Sequence, residues 1–297
     1  VPPGASRVRS GGASADDAAK AAALASALRP AAAVSSPLGM VVTASPEASW
    51  AGARMLEAGG NAVDAAVAAA FTLTASEPGG SGLGGETWMV VRLATGEEHA
   101  ILCPSRVPLR VDAAKVAAAR REKELWGPMA ASVPTTVATL AHALRRYGTK
   151  SFAEVLAPAI EAAEGGYRTR AVERMFLGDY ERRLFDSSVL LPAYLTGPVG
   201  ESGFPSPGPV GTCVTIPQLA ATLRRLAAAG PEDFYTGEIA GRLDEEMTAA
   251  GGFVRRTDLR RVPASVRDVP PVRGSYRGLT ALSVPSPAGG GVLVAAM

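Results

Sequence analysis

The sequence predicts an α/β (α+β) protein in which closely packed helices cover sheet. Three observations point there. After a helix stop at Gly59-Gly60, the run Asn61-Ala62-Val63-Asp64-Ala65-Ala66-Val67-Ala68 starts a buried helix whose alanines let a neighbour approach closely. Behind it comes a glycine loop, Glu77-Pro78-Gly79-Gly80-Ser81-Gly82-Leu83-Gly84-Gly85, with little side chain to hold backbones apart. Further on, Trp88 to Leu93 and His99 to Leu102 flank Ala94-Thr95-Gly96-Glu97-Glu98 and read as a β-hairpin.

The elements follow in order. Residues 1–37 are rich in Ala, Ser, Gly and Pro and read as a flexible segment, with Asp16 to Leu28 a weak helix pattern inside it. Residues 38–297 read as one domain. Met40 to Ala44 has the look of a short buried strand. Ser45 then caps a helix with Pro46 at its first position and Glu47 in its first turn, where the helix dipole favours an acid. That helix stops at Gly59-Gly60, and Asn61 caps the alanine-rich helix that runs to about Thr74.

Beyond the hairpin, Val111 to Leu125 and Val137 to Tyr147 read as helices, the second closed by Gly148. Ser151 caps a helix holding Val155 and Leu156, and Pro158 starts a separate one ended by Gly165-Gly166. Leu191 to Pro217 is dense in Pro and Gly and reads as a surface loop. Helices follow over Gln218 to Ala229, after Pro231, and over Ile239 to Ala250. Leu279 to Val284 and Gly291 to Leu293 read as strands around a Pro-Gly turn.

Composition excludes several function classes. The chain of 297 residues is 47% hydrophobic and 20% charged, with a formal net charge of +2. That balance gives no global attraction to nucleic acid or to an anionic membrane. The local exception runs from Arg255 to Arg277, where seven arginines stand against Asp258 and Asp268. Only Tyr276 supplies an aromatic there, so the run reads as a solvated face. No apolar run reaches the roughly 20 residues a membrane-crossing helix needs. The chain begins at Val1 and stops at Met297 inside an apolar run, which reads as a piece of a longer or processed protein. The compartment, periplasmic or secreted against cytoplasmic, stays open.

Familiar catalytic patterns are weak. Gly80, Gly82 and Gly85 satisfy G-x-G-x-x-G, but a dinucleotide site needs a strand before the loop and a helix after it. Here the order is reversed, and the glycines read as close packing and tight turning. No metal site is expected, because His99 and His142 have no partner at ligand spacing. His99 reads as a hairpin residue and His142 as a helix-face residue. Cys103 and Cys213 are too few for a disulfide framework, although one bridge is allowed. Each reads by default as a small buried hydrophobe.

Gly59-Gly60-Asn61-Ala62-Val63-Asp64-Ala65-Ala66-Val67-Ala68 and Ser81-Gly82-Leu83-Gly84-Gly85 resemble the large subunit of the gamma-glutamyltranspeptidase family, letter for letter in the first segment. The second departs at Glu86-Thr87-Trp88, where the family has more glycine and a Phe. Val133-Pro134, Tyr147-Gly148, Pro158-Ala159-Ile160, Pro217-Gln218-Leu219-Ala220, Tyr276-Arg277-Gly278 and Pro285-Ser286-Pro287-Ala288-Gly289-Gly290 follow in family order. The family's glycine after Val133-Pro134 is Thr135 here.

The resemblance implies a four-layer α/β/β/α sandwich of the N-terminal nucleophile hydrolase type, incomplete in this chain, with the Asn61 helix in an outer layer against a sheet. It implies a self-cutting precursor whose small subunit opens with a nucleophilic Thr, its own α-amine acting as base. No catalytic residue is therefore assigned to these residues, and no cofactor is implied. The implied partners are the small subunit and a γ-glutamyl or other amide substrate, such as glutathione. Part of each sheet would come from the small subunit, so the isolated chain is expected to expose apolar strand edges and aggregate. The family binds the substrate's α-carboxylate through an Arg in R-E-x-A-P. Aligning Val107-Pro108 with its A-P puts Pro104 at that position, and Arg106 lies two residues on, on the same side of an extended segment. Arg106 is the candidate carboxylate clamp, because a guanidinium fork donates two parallel hydrogen bonds. The departure keeps open an acylase with another acyl preference, or a scaffold without chemistry.

Overall fold

The computed structural model describes residues 33–122, 125, 127–171 and 208–288. By its contacts the chain divides into Val1–Met40 and Val41–Met297. In the first unit the described residues are exposed and irregular, with the Leu38 amide donating to Ser36 Oγ at 3.2 Å. The Asp16 to Leu28 pattern lies outside the described residues.

In the second unit, helix α1 (Pro46–Glu57) starts as its sequence dictates. Ser45 Oγ accepts from the Ala48 amide at 3.1 Å, and Pro46 needs no donor at N1. Helix α2 (Ala62–Ser76) opens with a capping box: Asn61 Oδ1 accepts from the Val63 and Asp64 amides, and Asp64 Oδ2 accepts from the Asn61 amide at 2.7 Å. Eleven of its fifteen residues are buried. Its neighbours are α1, α4 (Thr136–Tyr147) and α5 (Phe152–Gly165), so it is enclosed mainly by helices and not laid on a sheet as expected. The small side chains explain this, since they let helices approach where larger ones would not. A Cβ built on Gly52 of α1 would stand 3.0 Å from the Ala65 carbonyl oxygen.

The hairpin forms where the pattern put it. Strands β1 (Met89–Arg92) and β2 (Glu98–Leu102) pair antiparallel, with Gly96 at φ +91° in the turn. β2 is the middle strand, because β5 (Arg267–Val269) pairs on its other side with Leu102 opposite Arg267. Helix α3 (Ala113–Arg121) lies between hairpin and α4, and stops short of Leu125. Two ribbons complete the strands: β3 (Tyr167–Arg168) with β4 (Cys213–Val214), and β6 (Val272–Tyr276) with β7 (Leu279–Ser283). Helices α6 (Pro217–Ala229), α7 (Asp233–Thr236), α8 (Glu238–Ala249) and α9 (Arg256–Leu259) stand between the ribbons in chain order. The core gathers Phe71, Ile101, Leu140, Leu156, Leu223, Leu226, Tyr235 and Leu259 from helices and sheet alike. Phe71 meets the Phe152 ring edge-on at 5.6 Å.

Several expectations are corrected. Met40 to Ala44 is not a buried strand: no strand pairs with it among the described residues, and Val42 is 81% exposed. Pro158 does not start a helix but sits inside α5. The Ser151–Glu154 capping box fixes the first turn, and Pro158 is itself buried beside Val155, Leu156 and Ala159, which offsets the lost amide donor. The Leu191 to Pro217 stretch contains β4, and much of the rest lies outside the described residues. β7 pairs with β6, and Gly291 to Leu293 lies outside the described residues. Gly84 has open space where close packing was expected: a Cβ there would meet nothing within 4 Å. Cys213 is exposed, since it faces outward on a two-residue ribbon, and neither cysteine is bridged. Among the described residues no helix is long and apolar enough to cross a membrane.

Candidate functional site

Arg106 follows β2 on a segment pinned at three points. The Ser105 amide donates to Glu86 Oε1 at 3.0 Å, tying the segment to the end of the glycine loop. The Arg106 carbonyl accepts from the Val133 amide at 3.0 Å, an isolated antiparallel bridge. The Leu109 amide donates to Asp258 Oδ1 at 2.8 Å. Cys103 just before is fully buried, which anchors the segment to the core.

The pinned segment forms one wall of a cleft of about 110 Å³ lined by Pro104, Arg106, Val107, Leu109, Val133, Thr135, Asp258, Arg261, Val262 and Ser265. Pro104 and Arg106 both line it, and so does the adjacent Val107. The opposite wall comes from α9 and the short 3₁₀ turn Pro263–Ser265. The floor is Thr135, ahead of α4. The amides of Thr135 and Thr136 both donate to the Gly85 carbonyl, at 2.9 and 3.1 Å, so the glycine loop crosses the start of α4. Thr87 Oγ1 bonds Thr136 Oγ1 at 3.0 Å and holds the loop's far end. Thus the motif-bearing loop, the Arg106 segment and the α4 N-terminus meet at one place.

The cleft suits anion binding more than nucleophilic chemistry. Cys103 adjoins it, but burial pushes its thiol up, against opposing bonds to Ser265 and Thr139 and the pull of Arg106. A thiol held neutral is a poor nucleophile. Asp258, the carboxylate in the lining, is engaged by the Leu109 and Arg255 amides at 2.8 and 2.9 Å. No cluster of three or more His, Cys, Asp or Glu that would hold a metal occurs among the described residues.

A second polar cluster was not legible from spacing. His99 Nδ1 lies 3.3 Å from Asp268 Oδ1, and His142 Nε2 lies 3.8 Å from Asp268 Oδ2. The Tyr147 hydroxyl donates to the same carboxylate, and its ring stands 4.9 Å from that of His99. The two histidines read as isolated in sequence because β5, which brings Asp268, is more than a hundred residues away. Thr135 and Arg261 were also missed as site residues. The signals for them were the threonine at a family glycine and the basic run.

The fold is α/β, and its likeness to solved structures places it with the N-terminal nucleophile hydrolase type. Its backbone superposes on the crystal structure of the Helicobacter pylori gamma-glutamyltranspeptidase with a TM-score of 0.77 at 30% identity, over 89% of this chain and 74% of that one. The gamma-glutamyltranspeptidase family profile matches residues 48–297, and the chain belongs to that family. It is 36% identical over 269 residues to an acylase ACY 1 proenzyme from Pseudomonas sp. (strain V22), covering 87% of this chain and 47% of that protein. It is 32% identical over 264 residues to a glutathione hydrolase proenzyme from Pseudomonas sp. (strain A14), covering 86% and 44%. The chain thus spans less than half the length of these relatives.

Proposed function

We propose that residues 38–297 are the large-subunit part of a γ-glutamyl amide hydrolase or transferase, acting on compounds such as glutathione. A Thr at the start of a small subunit cut from the same precursor supplies the nucleophile. Its attack releases the amine and leaves an acyl-enzyme, which water or an acceptor amine then resolves. In this reading the chain's own task is acyl recognition, and Arg106 binds the donor's carboxylate. The observation that carries it is the meeting of the pinned Arg106 segment and the α4 N-terminus at one small cleft, with the family's glycine loop hydrogen-bonded to the α4 start and its next residue, Glu86, to the Arg106 segment. Proenzyme relatives on both sides support the processed precursor.

A second reading has its own support. Pro104 stands where the family places its clamp arginine, and an acylase proenzyme is as similar as the glutathione hydrolase. An acylase of different acyl preference fits both facts.

The test is to express the full open reading frame that contains this chain and follow cleavage by mass spectrometry. Turnover of γ-glutamyl-p-nitroanilide and of a glutaryl amide is then compared. Cleavage with γ-glutamyl preference supports the first reading. Glutaryl preference supports the second. An uncut, inactive product refutes both and leaves a scaffold.

A further inference from the structure

Two further groups, Thr135 and Arg261, line the Arg106 cleft. Thr135 is 1% exposed, and its hydroxyl has no hydrogen-bond partner among the described residues. It occupies the N-cap of α4, where a threonine oxygen ordinarily accepts an amide hydrogen, yet makes no such bond. A buried hydroxyl without a partner is destabilising, and such groups are rare in folded proteins unless something else satisfies them.

Arg261 is the second group. The seven arginines between Arg255 and Arg277 separate into two sets. Arg255 pairs with Asp244 at 3.7 Å, Arg256 donates to the Thr236 carbonyl at 3.0 Å, Arg273 pairs with Glu98, and Arg277 lies over the Tyr276 ring at 5.2 Å. Arg260, Arg261 and Arg267 make no ion pair among the described residues, and all three line, with Arg106, a wider opening of about 640 Å³. Arg106, Arg261 and Ser265 belong to both openings, so the broad basic mouth narrows into the cleft. No aromatic residue among the described residues lines either opening, which leaves a stacked nucleobase no platform there.

We propose that Thr135 and Arg261 are specificity-determining residues that bind, together with Arg106, a carboxylate on a short apolar stem. The guanidinium forks take the carboxylate oxygens, and the Thr135 hydroxyl donates the hydrogen bond it otherwise lacks. The stem lies against Pro104, Val107, Val133 and Val262. Arg260 and Arg267 at the mouth raise the local concentration of anions. Thr135 stands where the family has a glycine, so this chain places a hydroxyl there. The inference rests on the reading of this cleft as the acyl pocket.

The experiment is calorimetric binding of glutarate to the full-length protein, with glutaramide as the uncharged counterpart. The variants are Thr135→Val, Thr135→Ser, Arg261→Ala and Arg106→Ala, with Arg242→Ala on α8 as a control. The expected result is a glutarate Kd weakened about ten-fold or more by Thr135→Val and by Arg261→Ala, recovered by Thr135→Ser, with no melting temperature lowered. Glutarate affinity within about two-fold of the unsubstituted protein in both variants overturns the inference, as does no glutarate binding at all. Inorganic phosphate binding as tightly as glutarate overturns the carboxylate assignment. If Arg106→Ala alone weakens binding, Arg106 keeps its role and this inference fails. If Thr135→Val and Arg261→Ala weaken it while Arg106→Ala does not, the inference stands and the Arg106 clamp fails.

Discussion

The Val133 amide donates to the Arg106 carbonyl at 3.0 Å, so the candidate clamp is bolted to the residue that precedes Pro134 and the start of α4. The guanidinium remains free to swing while its backbone is fixed. That is the arrangement a binding arginine needs: little backbone entropy is lost when a ligand arrives. The same bridge carries the Thr135 region to the Arg106 side of the cleft.

Thr135 gives a prediction with opposite signs for stability and binding. Its hydroxyl is buried and unpartnered, so Thr135→Val should stabilise the ligand-free protein by about 1 kcal/mol. Denaturant unfolding checks this. A loss of stability of that size would mean the hydroxyl has a partner in the native state.

Asp64 is a structural hub that ties the start of α2 to the segment after α4. Its carboxylate is fully buried and accepts from the amides of Asn61, Thr149 and Lys150 and from Thr149 Oγ1, all within 3.0 Å. Burial pushes its pKa up, but these four bonds outweigh it and hold the group below the ordinary carboxylate range. A Cβ on Gly148 would stand 2.6 Å from Asp64 Oδ1. Asp64→Ala removes the buried acceptor of four hydrogen bonds, and Gly148→Ala forces the backbones apart; each should cost about 2–4 kcal/mol in urea unfolding. A loss below about 0.5 kcal/mol for either would contradict the hub.

The His99–Asp268–His142–Tyr147 cluster ties β5 to β2 and α4, and it makes stability depend on pH. Burial pushes the His142 pKa below its ordinary 6.5, helped by Arg145 and Arg146 and opposed by Asp268. The unfolded chain therefore takes the proton more readily than the folded one. Stability from His142 is present above about pH 6.5 and is lost as pH falls below it. For Tyr147, burial and then the bond to Asp268 raise the pKa from 10.0 to about 12. That contribution is full below pH 10 and is lost as pH rises from there. Unfolding free energies of His142→Gln should lose the acid-side slope. An unchanged slope would place the titrating group elsewhere.

A third titration lies at α7. Asp233 accepts from Arg225 Nε and Nη2, both at 2.8 Å, and from the Glu238 and Ile239 amides at 3.2 Å. Its carboxyl is held down at about 2, first by the Arg225 bonds. Its stabilising effect is present above pH 3.8 and disappears as pH falls toward 2. Arg225→Ala should shift acid unfolding to higher pH, and no shift would refute the pairing's role.

Helix starts were legible because their causes are local: Ser45-Pro46 and the Asn61–Asp64 box act within four residues. The hairpin was legible from alternation and Gly96. The Pro158 error came from weighing a local rule above burial, since Ala159 and Ala163 on one buried face hold the helix together across the proline. Met40 to Ala44 failed because burial of a strand depends on a neighbour, which its own residues cannot specify. In the site, Arg106 was found through the resemblance to the family's R-E-x-A-P motif, two residues from the position that Pro104 occupies. Thr135, Arg261 and the Asp268 cluster needed segments separated by more than a hundred residues, and only the folded chain joins them.

Exposed apolar groups carry a prediction for the isolated chain. Val42, Val90, Tyr276 and Leu279 stand open on the hairpin, the β6–β7 ribbon and the chain before α1. Expressed alone, residues 38–297 should self-associate, and light scattering should report species well above a monomer. A stable monodisperse monomer would contradict this.

The most direct test of the central claim is steady-state kinetics of the processed full-length protein with γ-glutamyl-p-nitroanilide, before and after Arg106→Ala. A carboxylate clamp predicts a KM raised by about ten-fold or more, equivalent to ~1.4 kcal/mol of lost binding. An unchanged KM would remove Arg106 from the acyl site and contradict the account.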